Sequence, residues 1–120
     1  PKKLVVEDLQ VGQGRVAQKG KSLKVHYTGW VFDPAAQNGM GKQIDSSHKR
    51  GEPWSFVLGS GIVIKGWDEG LKDMKVGGKR RLIIPSEMAY GKRGARSEVP
   101  PDTPLIYEVE LVDVIDPTVN

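Results

Sequence analysis

Cysteine is absent from the 120 residues, so disulfides, thiolate metal sites and a thiol nucleophile are excluded, while the redox compartment stays open. Histidine is scarce. His26 and His48 have neither i, i+4 spacing nor a carboxylate at metal-ligand spacing, which argues against zinc or iron and predicts a protein without a cofactor. No apolar run approaches the ~18 to 20 residues of a membrane span, and no charged-then-apolar leader precedes Leu4. A soluble chain is expected. It opens at Pro1 rather than methionine, which fits a leader or a dimerising or anchoring segment removed ahead of it, and leaves cytoplasm and periplasm both open. Charge of one sign is lacking too: 18 Lys and Arg against 15 Asp and Glu leave +3, too little for a dedicated nucleic-acid binder.

What the chain does hold is Val and Ile, 14 and 7, against 5 Ala and 8 Leu, a balance that suits pleated strands better than helices. Alternation marks where those strands fall. Leu23, Val25 and Tyr27 share one face of residues 22–28, and Trp54, Phe56 and Leu58 repeat the pattern. Leu105, Tyr107, Val109 and Leu111 form the longest stripe, opposed by Ile106, Glu108, Glu110 and Val112, which predicts one covered and one wet face. Residues 79–84, stopped by Pro85, make a fourth strand and residues 4–9 a fifth. Only 65–74 has helical spacing, with Trp67, Leu71 and Met74 at i, i+4 and i+7 and Gly77-Gly78 at its exit. Three turns are not stable alone and must lay that stripe on the sheet. The expected fold is α+β, a curved antiparallel sheet of about five strands wrapped around one short helix, in a single domain over residues 1–120 with its core at about 4–114. Residues 33–42, with Pro34, Asn38-Gly39 and Gly41, read as a loop or hairpin tip.

The common catalytic constellations are missing. Asp45-Ser46-Ser47-His48 holds the residue types of a hydrolase triad, but adjacent residues cannot converge on one hydroxyl, and turn hydrogen bonds suit them better. Gly59-Ser60-Gly61 lacks the third glycine and the Lys-Ser/Thr of a phosphate loop. Lys79-Arg80-Arg81, and Lys92-Arg93 with Arg96, read as solvated basic faces. What remains is a concentration of apolar and aromatic side chains beside glycine and proline turns: Tyr27, Trp54, Phe56, Ile62, Val63, Ile64, Trp67, Tyr90, Val99 and Tyr107. A loop tyrosine, a tip stiffened by Pro100-Pro101 and a helix-borne tryptophan would enclose a concave apolar site with a few polar atoms at its rim.

Val25-His26-Tyr27-Thr28-Gly29, Asp45-Ser46-Ser47, Phe56-Val57-Leu58-Gly59, Val63-Ile64-Lys65-Gly66-Trp67-Asp68-Glu69-Gly70, Met74-Lys75-Val76-Gly77-Gly78, Ala89-Tyr90-Gly91, Val99-Pro100-Pro101 and Val109-Glu110-Leu111 together resemble the FKBP family of peptidyl-prolyl cis-trans isomerases. The resemblance runs in order over about residues 4–114. It implies a half-barrel sheet around one helix, catalysis of rotation about X-Pro bonds and a role in protein folding. Carried over by position, it makes Tyr27, Asp45, Trp67 and Tyr90 the catalytic set, with Trp67 as the pocket floor and Tyr90 as a donor to a substrate carbonyl beside the Ile64 backbone N–H. Ile44, Trp54, Val63, Ile64 and Tyr107 would add walls, Ile62, Ala95 and Val99 would complete the binding surface, and Arg50 would join Asp45 and Tyr27 at the polar rim.

The same resemblance implies proline-containing polypeptides as partners, binding of the macrolides tacrolimus and rapamycin, and a monomer. Ile44, Trp54 and Tyr107 stand where the best-known members carry phenylalanine, and Ala95 replaces a histidine, so an altered substrate preference is expected. Glu98 and the charged 92–96 loop argue against calcineurin engagement. The 33–42 insertion resembles bacterial single-domain members. An FKBP-like binding or chaperone module with vestigial isomerase activity is the alternative, and the intact Tyr27, Asp45, Trp67 and Tyr90 argue against it.

Overall fold

The computed structural model describes residues 2–95 and 98–117. Arg96, one of the three expected loop cations, lies outside them. Six strands form one antiparallel sheet: β1 (Val5–Gln10), β2 (Ser22–Phe32), β3 (Met40–Ser46), β4 (Trp54–Val57), β5 (Lys79–Ile84) and β6 (Leu105–Ile115). The order is β1-β5-β6-β2-β3, with β4 also paired to β2. Period-2 patterning accounts for β2, where Leu23, Val25 and Tyr27 are buried between half-buried neighbours. Strand β5 has the expected bounds, and β1 is shifted by one residue.

The sequence reading missed β3. Its only large apolar residues are Met40 and Ile44, and shifts in the β2–β3 register at Trp30 break the alternation that would have marked it. The segment read as a loop or hairpin tip over 33–42 is the tip of the β2–β3 hairpin, and it ends at Gly39 rather than residue 42. Asn38 and Gly39 there take the positive φ that the Asn-Gly pair favours, +57° and +75°.

The helix is shorter than its apolar spacing suggests: α2 spans Lys65–Gly70, after a single turn, α1 (Ser47–Arg50). Asp73 takes φ +66°, off the helical path, and donates its N–H to the Ala17 carbonyl. Leu71 and Met74 are nevertheless buried with Trp67, so the stripe packs as expected although the backbone leaves the helix. Glycine sets how closely α2 lies on β5. A Cβ on Gly66 would stand 2.5 Å from Ile84 Cγ2, and one on Gly70 2.8 Å from Leu82 Cδ2.

Two further expectations are corrected. Ile106, assigned to the wet face, is fully buried between Trp30 and Ile83 in the register, so the outer face carries a small apolar patch of its own. The first basic cluster is not a free face. Arg80 bonds Asp8 at 2.7 Å and donates to the Gly70 and Lys72 carbonyls, while Arg81 and Lys79 both engage Glu108. Among the described residues, no helix is long and apolar enough to cross a membrane.

Candidate active site

Between β2, β3, β4, β6, the start of α2 and the loop bearing Tyr90 lies a cavity of about 280 Å³. Trp67 forms its base and is only 4% exposed. Its indole stands edge-on to Tyr27 (centroids 5.0 Å apart, 82°) and Tyr107 (5.2 Å, 89°), with Trp54 and Phe56 at 6.2 and 5.7 Å. These are the edge-to-face contacts that aromatic quadrupoles favour. Trp54, Ile62, Val63, Ile64 and Tyr90 complete the apolar lining, and Asp45 adds the carboxylate.

Tyr27 projects inward because β2 alternates, and β3 brings Asp45 to the same end of the sheet. The Tyr27 hydroxyl donates to Asp45 Oδ2 at 2.7 Å, and Arg50 of α1 donates to the Tyr27 oxygen at 2.6 Å and to Asp45 Oδ1 at 2.7 Å. The guanidinium carbon also sits 5.5 Å from the Tyr27 ring centroid, within cation–π range. Burial alone would push the Asp45 carboxyl up, but hydrogen bonds from Tyr27, Arg50 and the Ser46 N–H outweigh it and hold it below the ordinary range. Burial pushes the Tyr90 hydroxyl up, and the charges of Asp45 and Glu98 push it further, so at neutral pH it is a donor.

Nine of the thirteen residues singled out in the sequence line this cavity. Ile44 and Arg50 do not. They line an adjoining depression of about 220 Å³ that shares Asp45, and Arg50 reaches the cavity only through its bonds to Asp45 and Tyr27. Ala95 and Val99 are also outside the lining: they bridge to each other, and Val99 is 2% exposed in the core, where it anchors the loop after Tyr90. Val99, at the tip expected to wall the site, packs in the core instead of lining the cavity.

Two positioning residues escaped the sequence reading. Asp68 accepts from the Gly59 N–H at 2.8 Å and the Gly61 N–H at 3.1 Å, so the segment that resembled a phosphate loop is closed on a carboxylate of α2. That closure holds Ile62, Val63 and Ile64 at the cavity mouth. Gly29 lies opposite Tyr107, and a Cβ there would enter its ring, within 2.8 Å of Cδ1 and Cζ and closer still to Cε1. The signal for Asp68 was a carboxylate in the first helical turn after a glycine-rich loop, whereas Gly29 offered only a glycine inside a strand pattern.

Ser47 is fully buried, accepts from the Tyr27 N–H at 2.7 Å and lies 2.9 Å from His26 Nδ1, which ties α1 to β2. The Asp45 to His48 segment thus serves local hydrogen bonding, with no converging triad. His26 and His48 stack face to face at 4.5 Å, and the described residues contain no group of three metal-ligating side chains.

An antiparallel sheet packed on a short helix, with an aromatic cavity that carries a few polar groups at its mouth, has the form of a small-ligand site. The family model described as FKBP-type peptidyl-prolyl cis-trans isomerase matches residues 13–112. The chain is 53% identical over 113 residues to an FK506-binding protein of Neisseria meningitidis serogroup A, covering 94% of this chain and 97% of that one. It is 47% identical over 113 residues to peptidyl-prolyl cis-trans isomerase FPR2 of Saccharomyces cerevisiae, covering 94% and 76%. The crystal structure of FkpA from Escherichia coli superposes with a TM-score of 0.81 at 42% identity, covering 94% of this chain and 48% of that one, so this chain spans about half the length of FkpA. The chain belongs to the FKBP-type peptidyl-prolyl cis-trans isomerase family and is an enzyme of that class.

Proposed function

We propose that isomerisation takes place in the aromatic cavity, on X-Pro bonds of proline-containing polypeptides whose folding the protein assists. The unit that does this is one domain, about residues 4–114, acting as a monomer. An X-Pro amide rotates over a barrier of ~18 to 20 kcal/mol because twisting removes C–N double-bond character, and no bond is cleaved. No nucleophile is needed. The twisted amide has less charge separation than the planar one, so a cavity that strips water from it favours the transition state.

In this reading the prolyl ring rests on Trp67. The Tyr90 hydroxyl and the Ile64 N–H, which donates to no backbone carbonyl among the described residues, hold the carbonyl of the substrate. The observation that carries the assignment is this placement of two open donors at the mouth of an aromatic cavity floored by tryptophan. Burying a ring of order 100 Å² contributes only ~2.5 kcal/mol, so substrates bind weakly and exchange quickly. Tacrolimus and rapamycin occupy the same cavity, while the charged 92–95 loop disfavours calcineurin.

NMR exchange spectroscopy on a short Leu-Pro peptide tests this. Catalytic amounts of the protein are expected to produce cis–trans exchange cross-peaks, and rapamycin to abolish them. Exchange that persists in excess rapamycin would place catalysis elsewhere.

Asp45 gives a second expectation. Asp45→Ala leaves Tyr27 and Arg50 without their shared acceptor, and kcat/KM is expected to fall about tenfold, the scale of a charged hydrogen bond discounted for exposure. An unchanged kcat/KM would make Asp45 a purely structural residue. Its depressed folded-state pKa fixes the sign of the pH dependence. The ion pair is fully formed above the unfolded value of ~3.9, persists below it, and is lost as pH falls through the folded value. Activity on a neutral peptide should therefore stay flat from about pH 8 to about pH 4. A decline centred above that range would dismiss Asp45 as the titrating group.

A further inference from the structure

Tyr107 carries a polar atom that the packing does not explain. The residue is 5% exposed on β6, and its ring is wedged between Gly29, which leaves it room, and the Trp67 indole, which meets it edge-on. Phenylalanine would fill the same space. The hydroxyl makes no hydrogen bond to any described residue, and placing an unpartnered hydroxyl in apolar surroundings costs stability. It is not sealed in, however. Among the described residues the only fully buried side-chain nitrogen or oxygen without a partner is Trp67 Nε1, so the Tyr107 oxygen keeps some exposure, and its residue lines the cavity. Burial, and after it the neighbouring Tyr90, Asp45, Tyr27 and Glu98, push its ionisation far above neutrality, so it stays protonated and available as a donor.

Resting on the reading that isomerisation takes place here, we propose that the Tyr107 hydroxyl is a further catalytic group, donating a hydrogen bond to the prolyl nitrogen as the amide twists. The chemistry selects that atom. In the planar amide the nitrogen lone pair is delocalised into the carbonyl and accepts nothing. At the twisted transition state conjugation is broken, the nitrogen becomes pyramidal, and the lone pair returns to it. A donor waiting there is idle in the ground state and engaged only at the barrier, the kind of contact that raises kcat without tightening substrate binding. No proton is transferred and no bond is made or broken in the substrate. Tyr90 differs in kind, because the carbonyl it holds accepts in both states, so its bond contributes to binding as well.

The test separates kcat from KM by NMR line-shape analysis on one Leu-Pro peptide, for the wild-type protein, Tyr107→Phe and Tyr90→Phe. Tyr107→Phe removes one oxygen and no hydrogen bond to the protein, so its urea midpoint should not fall. Its kcat is expected to drop about tenfold with KM unchanged, whereas Tyr90→Phe raises KM as well. An unchanged kcat in Tyr107→Phe, or a loss confined to KM, overturns the proposal while leaving the isomerase reading intact. Wild-type protein that does not accelerate exchange at all would overturn both.

Discussion

Replacing Trp67 by alanine is expected to lower kcat/KM about 100-fold, equivalent to about 2.7 kcal/mol at the transition state, and to cost the fold about 3 to 5 kcal/mol. Both effects have one cause. Trp67 is the base of the cavity and also the hub on which Tyr27, Trp54, Phe56 and Tyr107 pack, so its removal takes away the platform proposed for the prolyl ring and the support of three aromatic walls and of Phe56 beside them. Trp67→Phe should behave differently. The buried indole N–H has no acceptor among the described residues, so phenylalanine forfeits contact area but no hydrogen bond. Stability is expected to fall by about 1 to 2 kcal/mol, with most of the activity retained. Urea unfolding followed by circular dichroism, together with kcat/KM on one peptide, measures both variants. If alanine were tolerated as well as phenylalanine, the proline platform would have to lie elsewhere.

Gly29→Ala is the second large effect, at a position that touches no substrate. The added methyl would enter the Tyr107 ring, and β2 cannot recede because it is paired to β6 on one side and to β3 and β4 on the other. Tyr107 must therefore move towards Trp67 and the cavity. Overpacking of this kind costs about 1 to 3 kcal/mol. The displaced ring narrows the seat for proline, so kcat/KM should fall at least as far as in Asp45→Ala, and rapamycin affinity should fall with it. Gly20→Ala is the control. Gly20 sits at φ +92° with nothing within 4 Å of a Cβ, so alanine there incurs about 1 to 2 kcal/mol of backbone strain and leaves activity alone. Equal losses of activity in the two variants would show that Gly29 acts through global stability rather than through Tyr107.

Strands β2, β5 and β6 were legible because a strand buried on one face writes its alternation into its own residues. The short blocks around Tyr27, Trp67 and Tyr90 were legible as family motifs, and these residues do meet in one cavity. Strand β3 was not legible. It is an edge strand whose bulged pairing is imposed by β2, so it needs little apolar pattern of its own. Ile44, Arg50, Ala95 and Val99 do not line the cavity itself, although Arg50 joins Asp45 and Tyr27 at its rim as expected. Each is close in sequence to a cavity residue, and only the packing decides whether its side chain faces the cavity, the neighbouring depression or the core.

The sequence by itself determined the fold class, the family and most of the residues that line the cavity, because period-2 and helical spacings and contiguous motifs are properties of near neighbours. Tertiary structure alone decided that Gly29 makes room for Tyr107, that Asp68 closes the loop below Ile62, that Val99 packs in the core, and that Tyr107 lines the cavity beside Trp67. Each of those facts concerns a contact across the sheet, between the sheet and its loops, or across the turn from loop to helix. Such contacts follow from close packing in three dimensions, which no local pattern encodes.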